Sequence, residues 1–300
     1  MLRLFTDILL PVIVAAGTGY WLAARFRLDV RSLSRVAFHL LAPCLVFQAI
    51  LDSELPGTEM LRMAGLAISV LLVSAAIAGG VARGCGWHRE QVAAVVLVVL
   101  LPNAGNFGLP TTLFAFGEEG LAQASIFFIA ASLATFTIGV LVASSGRARP
   151  LAAARGLLRV PAVWAIALAL SVSRSGWTLP HALGRPIELF SDASIPVFLL
   201  ILGMQLRGNG FEARFGPVGW AVASRLLISP VVALVAAPLW GIDGVARQAA
   251  VLESAMPCAV ISTVLAAEYD LAPRFVTTAV FASTLISPVT LTPLLDYLGA

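Results

Sequence analysis

Apolar runs of about 20 residues, separated by short polar connections, occupy almost all of this 300-residue chain. A run of that length, folded as a helix, matches the hydrocarbon thickness of a lipid bilayer. Hydrophobic residues make up 59% of the sequence and charged residues only 12%, about half the charged fraction of an ordinary soluble domain. The sequence therefore predicts an all-α membrane protein with a lipid bilayer as its surroundings.

Ten of these runs are predicted to be transmembrane helices. They cover residues 5–24, 33–51, 61–82, 92–116, 121–143, 157–173, 187–206, 218–240, 249–267 and 275–298. The first run is longer than the apolar part of a cleaved signal sequence, and arginines follow it. We therefore interpret it as the first membrane span.

The positive charges are all arginines, because the sequence contains no lysine. Thirteen of the 19 arginines lie in or beside the connections that follow the odd-numbered spans, and five lie on the opposite side. Positive charge concentrates on the cytoplasmic side, so we expect an inner (plasma) membrane protein with both termini on the non-cytoplasmic side. The arginines form no basic stripe, which argues against a nucleic-acid partner.

The fourth run contains a segment that a helix cannot easily accommodate. Residues 101–110 read L-P-N-A-G-N-F-G-L-P, with two prolines, two glycines and two asparagines, and both proline and glycine destabilise a helix interior. Lipid cannot satisfy the freed main-chain groups, so such a break survives only inside protein or beside an aqueous cavity. Broken helices of this kind form substrate sites in many secondary transporters.

Prolines recur at about half the chain length. The pairs are Pro11 with Pro161, Pro43 with Pro196, and Pro102 with Pro257. Each pair joins one span to the fifth span after it, which indicates duplication of a five-helix unit. A unit with an odd number of spans must be inverted in its second copy, so we predict a first repeat at 1–145, a cytoplasmic linker at 146–156 and a second repeat at 157–300. A second break is then expected near Pro257, with the site where the two broken helices meet.

Seven short motifs occur in an order that resembles the bacterial type of the auxin efflux carrier family. They are A-P-C-L-V-F at 42–47, N-A-G-N-F-G-L-P at 103–110, F-G-E-E-G-L at 116–121, I-P-V-F-L-L-I-L-G at 195–203, R-L-L-I-S-P at 225–230, A-M-P-C-A-V at 255–260 and A-A-E-Y-D-L-A-P at 266–273. The resemblance implies ten transmembrane helices in an inverted 5+5 repeat related to bile acid/sodium symporters, with broken helices four and nine crossing. It also implies an organic-anion carrier, since plant members move auxin and bacterial members are linked to malonate or malate.

Five residues of the first break match the crossover segment of that family and are predicted to bind substrate: Asn103, Gly105, Asn106, Gly108 and Pro110. We expect the half-helix after the break to begin near Gly108, so that its unpaired N–H groups and positive dipole end favour a carboxylate. Asparagine can hold a carboxylate without carrying charge itself. The alternative is that both asparagines only satisfy the broken main chain.

Pro257 and Arg225 complete the predicted substrate site. Pro257 marks the second break. Arg225 is the only arginine well inside a predicted span, where it would either attract the anion or pair with Asp192 or Glu253.

Glu253 and Asp192 are the candidate coupling residues. Glu253 lies one turn before Pro257, where an ionisable group is costly unless it is paired or functional. It would either carry a proton, bind Na⁺ together with unwound carbonyls, or make a structural hydrogen bond or ion pair. Asp192 lies near the outer end of the seventh span, and a solvated helix end is its alternative interpretation.

These observations predict a secondary transporter, not an enzyme, which moves a small organic anion such as a mono- or dicarboxylate by alternating access. No cofactor or metal is expected apart from a coupling ion, H⁺ or Na⁺, and a homodimer is left open. The alternatives are a proton- or sodium-coupled symporter or antiporter of another solute class and a transport-inactive membrane sensor. The three histidines, His39, His88 and His181, stand apart and outside any hydrolase motif.

Overall fold

The computed structural model describes residues 3, 5–26, 28–52, 56–144, 161–175, 179–205 and 215–300. Within these ranges the regular elements are helices, and Pro102 and Cys258 form an isolated antiparallel bridge. The predicted linker at 146–156 and the first residues of the sixth predicted span lie outside the described residues. An all-α architecture is therefore confirmed for the described part of the chain.

Eleven helices are labelled here in chain order within the described ranges. They are α1 (Phe5–Phe26), α2 (Val30–Asp52), α3 (Gly57–Gly84), α4 (Arg89–Leu100), α5 (Ala104–Ala143), α6 (Pro161–Ser175), α7 (His181–Gln205), α8 (Gly216–Leu239), α9 (Gly244–Ser254), α10 (Ile261–Glu268) and α11 (Pro273–Leu298). Several of them contain five-residue π-helical turns, among them Ala104–Gly108 at the start of α5 and Ser224–Ile228 within α8.

Seven of these helices are long and apolar enough to cross a membrane: α1, α2, α3, α5, α7, α8 and α11. The chain is therefore a multi-pass membrane protein. The seven differ in number from the ten predicted spans for three physical reasons. The fourth and ninth predicted spans are each divided by a break, the fourth and fifth are joined within α5, and α6 has only 15 residues.

Helix α5 is interrupted about a third of the way along, at Gly117. At 1.5 Å per residue, a straight helix of 40 residues would be about 60 Å long, twice the hydrocarbon thickness of a bilayer. Gly117 has φ 64° and ψ −160°, a conformation that glycine adopts far more readily than other residues. The exposed side chains of Glu118 and Glu119 follow it directly.

The helices pack as two groups. Helices α1, α2, α6 and α7 pack mainly on one another and are called the four-helix group; α3, α4, α5, α8, α9, α10 and α11 form the second group. Glycines permit the closest approach in the four-helix group, because a Cβ atom on Gly203 of α7 would overlap the main chain of Ala16 on α1. A Cβ atom on Gly19 of α1 would likewise overlap the main chain of Leu200. Small residues at such contacts let membrane helices pack backbone to backbone.

Candidate functional site

The first break separates α4 from α5. Helix α4 ends at Leu100, Leu101 has non-helical dihedral angles, and Asn103 precedes the π-helical turn with which α5 begins. The carbonyl of Asn103 accepts hydrogen bonds from the N–H groups of Phe107 (3.3 Å) and Gly108 (3.0 Å). The expectation of an unpaired N–H at Gly108 is therefore wrong. The π turn begins the helix earlier, so the N–H groups without an intrahelical partner belong to residues 104–106.

The second break separates α9 from α10 and confirms the expected interruption at Pro257. Helix α9 ends at Ser254 and α10 begins at Ile261, with Pro257 in the middle of the connecting residues. Proline lacks an N–H group and cannot continue the helical hydrogen-bond pattern.

The main chains of the two breaks are hydrogen bonded to each other. The N–H of Asn103 donates to the carbonyl of Pro257 at 2.7 Å, and the N–H of Ala259 donates to the carbonyl of Leu101 at 2.8 Å. The N–H of Cys258 donates to the hydroxyl of Ser283 on α11 at 3.1 Å. Some of the groups that each break leaves without a helical partner are thus satisfied by the other break, as an environment without water favours.

Arg225, on the π-helical turn of α8, is fully buried beside both breaks. Its Nη1 donates to the carbonyl of Val99 at 2.7 Å, its Nε donates to Met256 at 3.0 Å, and its Nη2 donates to Ser254. These carbonyls lie at the carboxyl ends of α4 and α9, where the helix dipole is negative. In the described part of the chain its hydrogen-bond partners are main-chain carbonyls, and neither Asp192 nor Glu253 is among them.

Glu253, in the last turn of α9, is also fully buried. Its Oε1 accepts a hydrogen bond from the hydroxyl of Thr112 on α5 at 3.2 Å, whereas its buried Oε2 has no hydrogen-bond partner among the described residues. Gly108 packs directly against this carboxyl group, since a Cβ atom at position 108 would overlap it. The predicted substrate residue Gly108 therefore provides space for Glu253 in this conformation.

The two asparagines of the first break have different surroundings. Asn103 is buried, and its Nδ2 has no hydrogen-bond partner among the described residues. Asn106 is half-buried, and its Nδ2 donates to Oε1 of Gln205, the last residue of α7, at 3.4 Å. Gly105 is also half-buried and faces the ring of Phe128. The structure therefore brings the asparagine segment to the boundary between the two helix groups.

Pro110 and Pro257 are buried, whereas Asp192 is exposed on α7. The structure thus gathers the predicted site residues except Asp192 around the paired breaks. Sequence reasoning missed Thr112 and Gln205, which are uncharged. Only the position of Thr112, four residues after Gly108 and therefore on the same helix face, could have suggested its contact with Glu253.

The paired breaks combine three chemical features. Residues 104–106 supply main-chain N–H groups at a helix start, the Asn103 amide supplies a donor, and Glu253 supplies a sealed carboxyl group next to them. Among the residues that the structure describes, no cluster of histidine, cysteine, aspartate or glutamate side chains could hold a metal ion. These donors are neutral, which suits weak and reversible binding of an anion.

Comparison with known proteins places this geometry in context. Residues 4–295 match the family model described as "Membrane transport protein". An uncharacterized transporter of Methanothermobacter thermautotrophicus is 27% identical over 291 residues, which cover 95% of this chain and 96% of that protein. A Rhizobium meliloti protein named "Putative malonate transporter" is 25% identical over 268 residues, covering 86% of this chain and 83% of that protein. Auxin efflux carrier component 1 of Arabidopsis thaliana is 31% identical over 116 residues, covering 38% of this chain and 19% of that protein.

Proposed function

Because this chain belongs to the membrane transport protein family, which includes the auxin efflux carriers and is a family of transporters rather than enzymes, we propose that it is a secondary transporter of a small organic anion. The observation that carries the proposal is the pairing of two broken helices beside the amides of Asn103 and Asn106. Irregular main chain at membrane depth is costly, and its use as a binding site is the best-established reason for it.

The architecture proposed for this transporter has ten membrane passes in an inverted 5+5 repeat, with repeats at 1–145 and 157–300. In this arrangement α4 and the part of α5 before Gly117 form the fourth pass, and the rest of α5 forms the fifth. Helices α9 and α10 together form the ninth pass and cross the fourth at the paired breaks, as in bile acid/sodium symporters. The length of α5, the conformation of Gly117 and the half-chain proline spacing support this arrangement.

The proposed substrate group is a carboxylate that accepts hydrogen bonds from the first turn of α5 and from the Asn103 amide. Both are neutral donors at the positive end of a helix dipole, which favours an anion without trapping it. The Rhizobium meliloti relative, named for malonate, supports a mono- or dicarboxylate as the class of substrate.

Alternating access would then proceed by movement of the second helix group relative to the four-helix group. The bond between Asn106 and Gln205 crosses that boundary, and its length of 3.4 Å lies beyond the usual range for a hydrogen bond. A weak bond of this kind can be exchanged for a bond to substrate. Coupling to an ion is assigned to Glu253, because its Oε2 has no hydrogen-bond partner among the described residues.

The test is transport by the purified protein in liposomes. Labelled malonate, malate and a monocarboxylate such as acetate are offered under imposed proton or sodium gradients. We expect saturable uptake of at least one of them that responds to one gradient. The absence of saturable uptake across the panel would contradict the carrier proposal.

The same assay tests the site. Asn103→Ala and Asn106→Ala should each lower the initial uptake rate at subsaturating substrate about 10-fold or more, the effect expected for loss of a hydrogen bond to a charged group. Gln91→Ala, which truncates a half-buried amide near the start of α4, is the matched control and should transport normally. Normal transport by both asparagine variants would place the substrate elsewhere.

A further inference from the structure

An open groove runs along the outside of the second helix group, between α3 and α4. It has a volume of about 370 Å³, and its walls are apolar apart from one arginine at an end. Leu72, Gly79 and Gly80 line it on α3, and Val96 and Leu100 line it on α4. None of the predicted substrate residues lines this groove.

Two adjacent glycines produce the depression. A Cβ atom on Gly79 would press into the side chain of Val96, whereas a Cβ atom on Gly80 would meet nothing within 4 Å. The surface of α3 is therefore low at Gly80, while the neighbouring side chains form the rims. A concave apolar surface on a membrane helix has a shape that an acyl chain can fill.

The groove ends in a charged second cavity. This cavity of about 460 Å³ is lined by Arg83, Trp87, Arg89 and Val92, and it shares Arg83 and Val92 with the groove. Arg83 lies in the last turn of α3 and Arg89 is the first residue of α4. The end of a membrane helix lies at the level of the lipid headgroups, where tryptophan and arginine are both favoured.

The length of the groove fits one leaflet of a bilayer. From Arg83 to Leu72 the groove follows α3 for 11 residues, which is about 16 Å at 1.5 Å per residue. Half of the hydrocarbon thickness is about 15 Å. One acyl chain can therefore lie along the apolar part while its headgroup reaches the arginines.

We propose that this groove is a binding site for an anionic phospholipid. One acyl chain packs on Gly80 and Val96, and the phosphate pairs with Arg83 and Arg89. Basic positions at the ends of membrane helices attract anionic headgroups in this way. The groove extends as far as Leu100, the residue before the first break, so a bound lipid chain would support the helix that leads into the transport site.

The test measures lipid retention by native mass spectrometry of the detergent-purified protein with added phosphatidylglycerol or phosphatidylcholine. We expect phosphatidylglycerol to be retained preferentially. Arg83→Gln and Arg89→Gln should each weaken its apparent affinity about fivefold, the effect of removing one basic residue near an anionic headgroup. These two exposed residues carry the test even if a glycine variant fails to fold.

The second part of the experiment fills the groove with a larger side chain. Gly80→Leu begins at a position where an added Cβ atom meets nothing within 4 Å, and its side chain should also lower phosphatidylglycerol retention about fivefold or more. Gly17→Leu is the matched control, because a Cβ atom on Gly17 of α1 likewise meets nothing within 4 Å. It should retain the lipid as the unmodified protein does.

Four results would overturn the proposal. They are equal retention of the two lipids, unchanged retention in both arginine variants, full displacement of the lipid by inorganic phosphate, and conversion of a dimer to a monomer by Gly80→Leu with lipid retention unchanged. The third result would identify a simple ion site, and the fourth would identify an interface between two copies of the chain.

Discussion

Among the described residues, Arg225 donates its hydrogen bonds to main-chain carbonyls rather than to an acidic side chain. Its guanidinium spans the carboxyl ends of α4 and α9 through the carbonyls of Val99, Ser254 and Met256. Each helix end carries roughly half a negative charge, so two ends together offset about one positive charge. This arrangement explains how main-chain carbonyls stabilise a fully buried arginine and why that residue holds both breaks at once.

Arg225→Lys should destabilise the protein. Lysine has a compact ammonium group in place of a planar fork, so it cannot reach carbonyls on two helices in three directions. Leaving buried carbonyls unpaired should lower the free energy of unfolding by about 3 kcal/mol. The measurement is the thermal unfolding midpoint in detergent, with Arg185→Lys at an exposed position as the control. Equal midpoints for the two variants would contradict the assigned role.

Glu253→Gln should abolish the coupling of transport to protons without abolishing the binding of substrate. Glutamine keeps the shape of the side chain and an oxygen that can accept the bond from Thr112, but it cannot gain or lose a proton. We expect uptake driven by a pH gradient to disappear while exchange of substrate across the liposome membrane continues. Glu268→Gln changes an exposed carboxylate at the end of α10 and should leave both activities intact. Undiminished pH-driven uptake by Glu253→Gln would remove Glu253 from the coupling step.

The burial of these two charged residues could be predicted from the sequence, but their contacts could not. A charge within an apolar run is costly wherever it lies, which singled out Arg225 and Glu253. The partners of Arg225 are carbonyls, which every residue possesses, and only the tertiary positions of the breaks decide which carbonyls remain unpaired. Thr112 and Gln205 carry no charge and gave no comparable signal.

At the scale of helices, both interruptions were predictable because proline and glycine act locally. The π-helical turn at Ala104–Gly108 was not predictable, since it depends on how the Asn103 carbonyl is shared between two N–H groups. That difference moves the free N–H groups from the expected position near Gly108 toward Asn103. It also places Gly108 against Glu253.

Gly203→Ala should loosen the contact between α1 and α7. The added methyl group would overlap the main chain of Ala16, so the helices must separate, at a cost of about 2 kcal/mol for an overpacked contact. Thermal unfolding in detergent should show a lower midpoint. Gly17→Ala adds the same methyl group to open space on α1 and should be neutral or slightly stabilising. If the two variants melt alike, the close packing does not contribute to stability.

The stability of the first turn of α2 should depend on pH. Asp29 caps this helix, and hydrogen bonds from the Ser32 hydroxyl (2.6 Å) and the Arg31 N–H (3.0 Å) lower the pKa of its carboxyl below the ordinary value of 3.8. Because folding lowers this pKa, the stabilisation is present above pH 3.8 and is lost as the pH falls through the folded-state value. Amide exchange near Arg31, corrected for intrinsic exchange rates, should show reduced protection at acidic pH.

Asp29→Asn is the control for that measurement. Asparagine caps a helix about as well as aspartate but does not titrate, so its protection should not change over the same pH range. A parallel loss of protection in the variant would mean that another group controls the start of α2.

For the whole molecule, the topology can be tested with its own cysteines. Cys85, after α3, is exposed, whereas Cys258 is buried. The arginine distribution predicts that Cys85 faces the cytoplasm, so a membrane-impermeant maleimide should label it only after the cells are permeabilised. Glu119→Cys in a Cys85→Ser background lies beyond the proposed fourth pass and should be labelled in intact cells. Labelling of both positions from the same side would contradict a membrane pass between them.

The positions of the spans were largely predictable, because apolar run length is a strong and local signal. The division into two helix groups was not. Helices in both groups are similarly apolar, and lipid-facing and buried surfaces share the same composition. Contacts such as Gly203 with Ala16, or Asn106 with Gln205, join residues far apart in the sequence and become visible only in three dimensions.

The bridge between Leu101–Asn103 and Pro257–Ala259 consists of peptide groups alone. Main-chain donors and acceptors are nearly the same whichever side chain a residue carries. Substitutions at these positions during evolution can therefore leave the hydrogen bonds between the two breaks intact. Selectivity for a new cargo can thus evolve by point substitutions around a junction that persists. In a diverse family of carriers, main-chain hydrogen bonds can thus hold the two breaks together while the surrounding side chains determine which solute binds.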